Sequence, residues 1–220
     1  MKIRKPPVIS ARKRPRQERS ERLVADVLEA AVRVLAREGA QRFTTARVAE
    51  EAGVSVGSLY QYFPNKEAIL FRLQSDEWNQ TGALLESILA GSAEPAPDRL
   101  RSMVRAFFQS EREEVSLRTA LKDAAPLYRD APEVRKHREI GMRRLLTFMN
   151  GALPDVPAKE RAFAAAFVMT TISAVGKSVS MEARSKSEVD AWAVAMGDML
   201  CAYLFSANRE RGRRWSKLPP

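Results

Sequence analysis

Apolar residues recur along this chain at intervals of three and four, and no stretch alternates apolar with polar for long enough to suggest a sheet. The pattern predicts an all-α protein. A first stripe (Val24, Val27, Leu28, Ala31, Val34, Leu35) marks a helix from about Ser20 to Glu38, ended by Gly39. Two short helices follow, one with Val48, Ala49 and Ala52 inward, the next running from Val56 to Phe63 with Leu59 and Phe63 inward. Thr44 or Thr45 caps the first. Gly53 supplies the left-handed residue that ends it, Val54 plugs the turn, Ser55 caps the second and Pro64 stops it. Asn65 caps a long helix to about Ala90, and residues Gly91 to Asp98 read as a loop. Asp98 caps a helix to about Glu114. A short helix spans Ser116 to Ala125, and another runs from Asp130 and Pro132 towards Pro154. Two long helices finish the chain, about Ala158 to Met181 and Ser187 to Asn208, the second with Ser187 and Asp190 approximating a capping box.

Two short helices around a glycine turn make a helix-turn-helix, whose second helix is the one that enters a major groove. With Leu59 and Phe63 inward, Ser55, Val56, Gly57, Ser58 and Gln61 face out. Gln61 can pair with an adenine edge, serine with several bases, and Val56 can touch a thymine methyl. Tyr60, Tyr62 and Lys66 have the reach to hold phosphates. The alternative for Thr44, Gly53 and Asn65 is a purely structural role as caps and turns.

The motif TT-x-x-VA-x-x-AGVS-x-G-x-LY-x-YF-x-NKE, from Thr44 to Glu67, resembles the DNA-binding domain of TetR-family transcriptional regulators, the likeness running from about Leu23 to Leu73. The resemblance implies a homodimer with an N-terminal three-helix DNA-binding domain, followed by a helical ligand-binding and dimerisation domain. It implies phosphate contacts from Thr44, Thr45, Tyr60, Tyr62 and Lys66, and base reading from positions 55 to 58 and 61. One departure stands out: Ala46 is too short to reach a base by hydrogen bond, so any base contact from the first short helix falls to Arg47.

Charge sharpens this picture. The chain carries a formal net charge of +10, which favours a polyanionic partner. Residues 1–22 hold nine basic side chains against Glu18 and Glu21, so most of the excess lies in an N-terminal arm just before the helix-turn-helix. With Pro6, Pro7 and Pro15 among its charges, residues 1–19 should bury no core and be disordered alone. The arm could assist DNA binding or serve as a solubilising tail. The expected organisation is arm 1–19, helix-turn-helix domain 20–66, and effector-binding and dimerisation domain 67–220.

The remaining chemistry is sparse. The single cysteine, Cys201, excludes an intrachain disulfide and fits a reducing compartment. The N-terminus lacks the apolar core of a signal peptide, and the longest uncharged run, Ala162 to Gly176, is too short and polar to span a bilayer. A cytoplasmic protein without membrane partner is expected. There is one histidine, His137, no nucleotide-binding fingerprint and no nucleophile–base pair, so neither metal, cofactor nor catalysis is expected. Acidic pairs such as Glu50–Glu51 read as solvated faces.

Candidates for the lining of an apolar effector cavity are Met103, Phe107, Phe108, Leu121 and Tyr128, with His137, Phe148, Met149, Phe167 and Thr170. The last two helices could pair with their copies through Phe163, Ala166, Ala174, Trp192, Met196, Leu200 and Tyr203. The function expected is a homodimeric regulator, a repressor released from its operator by a small molecule. The alternatives are an activator of the same fold, or a basic helical module that binds anionic membrane surfaces.

Overall fold

The computed structural model describes residues 8–9, 18–91, 93–115, 121, 131–182 and 185–206. The expected helix from Ser116 to Ala125 therefore lies outside the described residues, Leu121 excepted, as do Tyr128 and Asn208. Among the described residues there are eight helices and no strand: α1 (Glu18–Arg42), α2 (Thr45–Glu51), α3 (Val56–Tyr60), α4 (Lys66–Ala90), α5 (Ala96–Glu113), α6 (Pro132–Ala152), α7 (Ala158–Met181) and α8 (Lys186–Phe205). They form two compact units, one of residues 1–80 and 114–137, the other of residues 81–113 and 138–220.

The first unit is built on α1, whose inward stripe of Val27, Ala31, Val34 and Leu35 is fully buried. Gly39 breaks the helix at φ 72°, a conformation that glycine adopts at no steric cost. The chain then drops Phe43 into the core at 0% exposure, with Val48, Leu59, Phe63, Ile69 and Leu70 packed in the same cluster. Leu121 and Val134 join that cluster from further along the chain. The N-terminal segment departs from its expectation. Ile9 is only 4% exposed and belongs to this core, because one apolar residue among charges still gains from burial when a seat exists.

In the second unit α5 packs on both α7 and α8. Leu100, Met103, Val104 and Phe108 of α5 meet Leu145, Phe148 and Met149 of α6, Val168 and Ile172 of α7, and Val189, Leu200 and Leu204 of α8 in one cluster. Small residues permit the close approach: a Cβ on Gly176 would stand 2.8 Å from Phe107 Cε1, and one on Gly197 would stand 3.4 Å from the Arg101 backbone.

Three local expectations are corrected. Ser185, not Ser187, caps α8: its hydroxyl accepts from the Glu188 amide at 3.3 Å, and the Glu188 carboxylate accepts from the Ser185 amide at 2.8 Å. The same serine-x-x-acid spacing occurs twice here, and Asp190 instead accepts from Gln109 Nε2 at 3.3 Å. Asp98 lies within the first turn of α5 rather than at its cap, since the Pro95 carbonyl already accepts from the amides of Asp98 and Arg99. Finally, α7 is by length and composition apolar enough to cross a membrane, with a mean hydropathy of 1.5 over its best window, of which 33% is buried. The uncharged run misled because the helix extends beyond it at both ends.

Candidate nucleic-acid interface

The helix-turn-helix is assembled from local caps. Thr44 in extended backbone caps α2, its hydroxyl oxygen accepting from the Arg47 amide at 3.3 Å. Gly53 turns the chain at φ 65°, and the Val54 amide closes back on the Ala49 carbonyl at 3.0 Å. Val54 is partly buried against the core, as a plug should be. Ser55 caps α3 by accepting from the Ser58 amide at 3.0 Å, and Asn65 Oδ1 accepts from the Ala68 amide at 2.8 Å to cap α4. α3 is shorter than the sequence suggests, ending at Tyr60 because Gln61 and Tyr62 already form the turn before Pro64.

With Leu59 and Phe63 at 0% and 1% exposure, the outward set is fixed. Ser55, Val56, Gly57, Tyr60 and Gln61 are exposed, and Ser58 is half-buried. The hydroxyls pair among themselves. Tyr60 Oη lies 3.1 Å from Thr45 Oγ1, and Ser55 Oγ lies 2.8 Å from Ser58 Oγ. Each pair holds two hydroxyl hydrogens and uses one internally, so one donor per pair remains for an outside acceptor. Thr44 uses only its lone pair for the cap and likewise retains its hydrogen. Gly57 carries no side chain, so the α3 backbone can approach a partner surface closely. Lys66 is half-exposed at the start of α4.

Two predicted residues sit differently from their neighbours. Tyr62 is only 8% exposed and packs in the core of the first unit, leaving a fringe of the ring at the surface. Arg47 forms an ion pair with Glu38, so its guanidinium must leave a carboxylate to reach anything else.

An unforeseen ion-pair hub holds α1 against α2. Glu51 accepts from Arg33 Nε at 2.8 Å and from Arg37 Nη1 at 3.0 Å, while Arg33 also meets Glu29 at 2.8 Å. These bonds, the Arg33 one foremost, hold the Glu51 carboxyl below its ordinary range, and Glu51 in turn raises Arg33. Glu51 is thus an anchor rather than a solvated face, while Glu50 is exposed as expected. The sequence signal was the i, i+4 spacing of Arg33 and Arg37, which places both on one face of α1.

The candidate effector residues do not gather in one cluster. Met103, Phe107, Phe108, Phe148, Met149 and Phe167 belong to the core of the second unit. Leu121 belongs to that of the first, where His137 lies 5.2 Å from the Trp78 ring between centroids. Thr170 is exposed. Of the candidate pairing residues, Met196 and Leu200 are buried at 7% and 0% and pack inside their own chain. α8 is apolar on more than one face, and the sequence stripe chosen was its inner one. The outer faces carry Phe163 and Met181 of α7, and Trp192, Val194 and Met199 of α8, each at least 40% exposed. Ala174 is exposed, while Ala166 and Tyr203 are half-buried. Cys201 is buried and donates from Sγ to the Pro97 carbonyl at 3.3 Å; burial pushes its thiol up, which suits a structural thiol.

A glycine-turned pair of short helices, capped and seated on a helical core and followed by a second all-helical unit, defines a helix-turn-helix transcriptional regulator. The chain belongs to the TetR family: residues 27–73 match "Bacterial regulatory proteins, tetR family", and residues 95–207 match "Tetracyclin repressor-like, C-terminal domain". It is 39% identical over 54 residues to the fatty acid metabolism regulator protein of Bacillus subtilis, covering 24% of this chain and 28% of that one. It is 41% identical over 73 residues to the nucleoid occlusion factor SlmA of Glaesserella parasuis, covering 31% and 34%. The chain thus matches about a third or less of the length of these curated relatives. In fold it is similar to the FadR regulator of Bacillus subtilis in complex with stearoyl-CoA, with a TM-score of 0.59, 21% identity, and coverage of 80% of this chain and 96% of that one. No catalytic family is among these likenesses.

Proposed function

We propose that the protein is a homodimeric repressor that reads a near-palindromic operator with two copies of α3 and leaves it when a small apolar effector binds. The observation that carries the DNA reading is the outward set on α3, with Ser55, Val56, Gly57, Ser58 and Gln61 available to base edges over a fully buried Leu59 and Phe63. Thr44, Thr45, Tyr60 and Lys66 serve as phosphate contacts that fix the register, with Tyr62 contributing only its exposed fringe. Arg47 contributes to base contact if DNA displaces it from Glu38. This reading assigns DNA binding to residues 20–66 and effector binding and pairing to residues 67–220, in the cytoplasm where the operator is.

Pairing is supported by the apolar outer faces of α7 and α8, where Phe163, Trp192 and Met199 remain exposed. A second head is needed to reach a half-site about 34 Å along the groove. The effector is assigned to the second unit, where Met103, Phe107, Phe108, Phe148, Met149 and Phe167 supply an apolar, aromatic environment. An acyl-chain ligand suits that environment, and the FadR relative was crystallised with one. Coupling between effector and operator of about 1–3 kcal/mol is typical of such linkage.

The test is fluorescence anisotropy on the DNA upstream of the protein's own gene, against a scrambled duplex at two salt concentrations. Preferential binding to the native fragment, weakened by Tyr60→Ala and reversed by long-chain acyl ligands, is the expected result. Equal binding to both duplexes, indifferent to Tyr60, would refute operator reading by α3 on that fragment.

A further inference from the structure

The N-terminal segment is fastened to the head at a point the sequence did not suggest. Ile9 is 4% exposed in the core of the first unit, while the neighbouring Val8 side chain is 62% exposed. The Val8 carbonyl accepts from Asn65 Nδ2 at 3.0 Å. Asn65 is already the cap of α4, its Oδ1 accepting from the Ala68 amide at 2.8 Å, and it directly precedes Lys66. One amide side chain therefore joins the N-terminal segment to the α3–α4 corner, using its donor for one and its acceptor for the other.

We propose that Val8–Ile9 is a clip that turns the basic arm from a free tail into a phosphate-binding element held close to the reading head. The proposal rests on the DNA-binding reading above. Its physics is chain length. Between the seated Ile9 and the start of α1 at Glu18 lie eight residues that carry Arg12, Lys13, Arg14 and Arg16. At about 3.5 Å per residue, none of them can stray more than about 16 Å from a fixed end. Released from the clip, Arg12 could lie about 21 Å from Glu18, and Lys2 about 56 Å. Effective concentration falls steeply with tether length, so seating Ile9 concentrates four cations beside the duplex that α3 engages. Lys2, Arg4 and Lys5 are brought to the same corner from the other side of the clip.

The test is a double-mutant cycle on the full chain: Ile9→Ser, the charge-removed variant R12Q/K13Q/R14Q/R16Q, and the two combined, with Tyr60→Ala alongside. Binding to the native upstream duplex is followed across a salt series, after circular-dichroism melts establish that each protein is folded at the assay temperature. With Ile9 intact, charge removal should flatten the slope of log K against log salt by about 2–4, at about 0.9 per phosphate lost. In the Ile9→Ser background the same removal should change the slope by less than half as much. An additive cycle, in which charge removal costs the same with and without Ile9, would overturn the clip while a harmful Tyr60→Ala leaves the DNA reading intact. A harmless Tyr60→Ala would bring down the reading and the clip together. Should Ile9→Ser not fold, Ile9→Ala serves in the same cycle.

Discussion

Gly53→Ala isolates one physical quantity. Gly53 holds φ at +65°, and a Cβ built there meets nothing within 4 Å. The substitution therefore adds no clash and removes no contact, and its whole cost in the folded state is backbone strain. Forcing an alanine into the left-handed region costs about 1–2 kcal/mol. Restricting the unfolded chain returns about 0.4–1 kcal/mol. The net expectation is a loss of about 1 kcal/mol, about a fivefold change in the folded-to-unfolded ratio. Asparagine tolerates this conformation better, and a β-branched residue worse. Urea titration of the full chain should therefore rank Gly53 above Gly53→Asn, then Gly53→Ala, then Gly53→Val, with unchanged m-values. Operator affinity of the alanine variant, measured under conditions where it is fully folded, should stay within about twofold, since free and bound heads carry the same strain. Alanine as stable as glycine would refute the reasoning. So would a large affinity loss at full folding, which would mean that the turn itself changes shape on DNA.

Other expectations follow from the same geometry. Tyr60→Phe removes one hydroxyl from the pair with Thr45. Stability should fall by no more than about 1 kcal/mol, operator affinity by about 10-fold or more, and the salt slope should stay unchanged because no charge is lost. Glu51 has its carboxyl lowered by Arg33 and Arg37, so its contribution is present above the ordinary carboxylate pKa and disappears as pH falls through the lower folded value. Acid titrations of Glu51→Gln followed by circular dichroism should accordingly show a weaker loss of stability below about pH 4.5 than the parent, the model carboxyl value being 4.5. Met199→Glu replaces a residue 48% exposed, so a lone chain should lose less than about 0.5 kcal/mol. A pair closed over that face would have to bury the new charge, and sedimentation velocity should show a shift to monomer.

The reading head was legible because its determinants are local. Thr44, Gly53, Ser55, Pro64 and Asn65 each act within three or four residues, and the structure uses every one as a cap, turn or stop. Errors arose where two local solutions competed. Ser185 and Ser187 offer overlapping capping registers, and only the reach of Glu188 decides between them. On α8, Met196 and Leu200 lie inward while Trp192 and Met199 lie outward, a choice that belongs to α5 packing and not to periodicity. Long-range placement was least legible. That Ile9 seats in the head core, or that Leu121 clusters apart from Phe108, depends on partners far away in the chain. The ring of arginines on Glu51 was half visible, since spacing showed one face of α1 but not the acid it meets.

The brevity of α3 has a consequence for how specificity can change. Five residues are too few to hold a helix in water, so its shape is lent by the caps and by the seat beneath Leu59 and Phe63. The residues that keep the helix folded and the residues that meet an operator are therefore almost disjoint sets, with Ser55 alone serving in both. Exchanging Val56, Gly57, Ser58 and Gln61 alters what is recognised without touching what keeps it standing. New target sites are reachable by single steps that each leave a folded protein, and libraries for retargeting can confine their variation to those few codons.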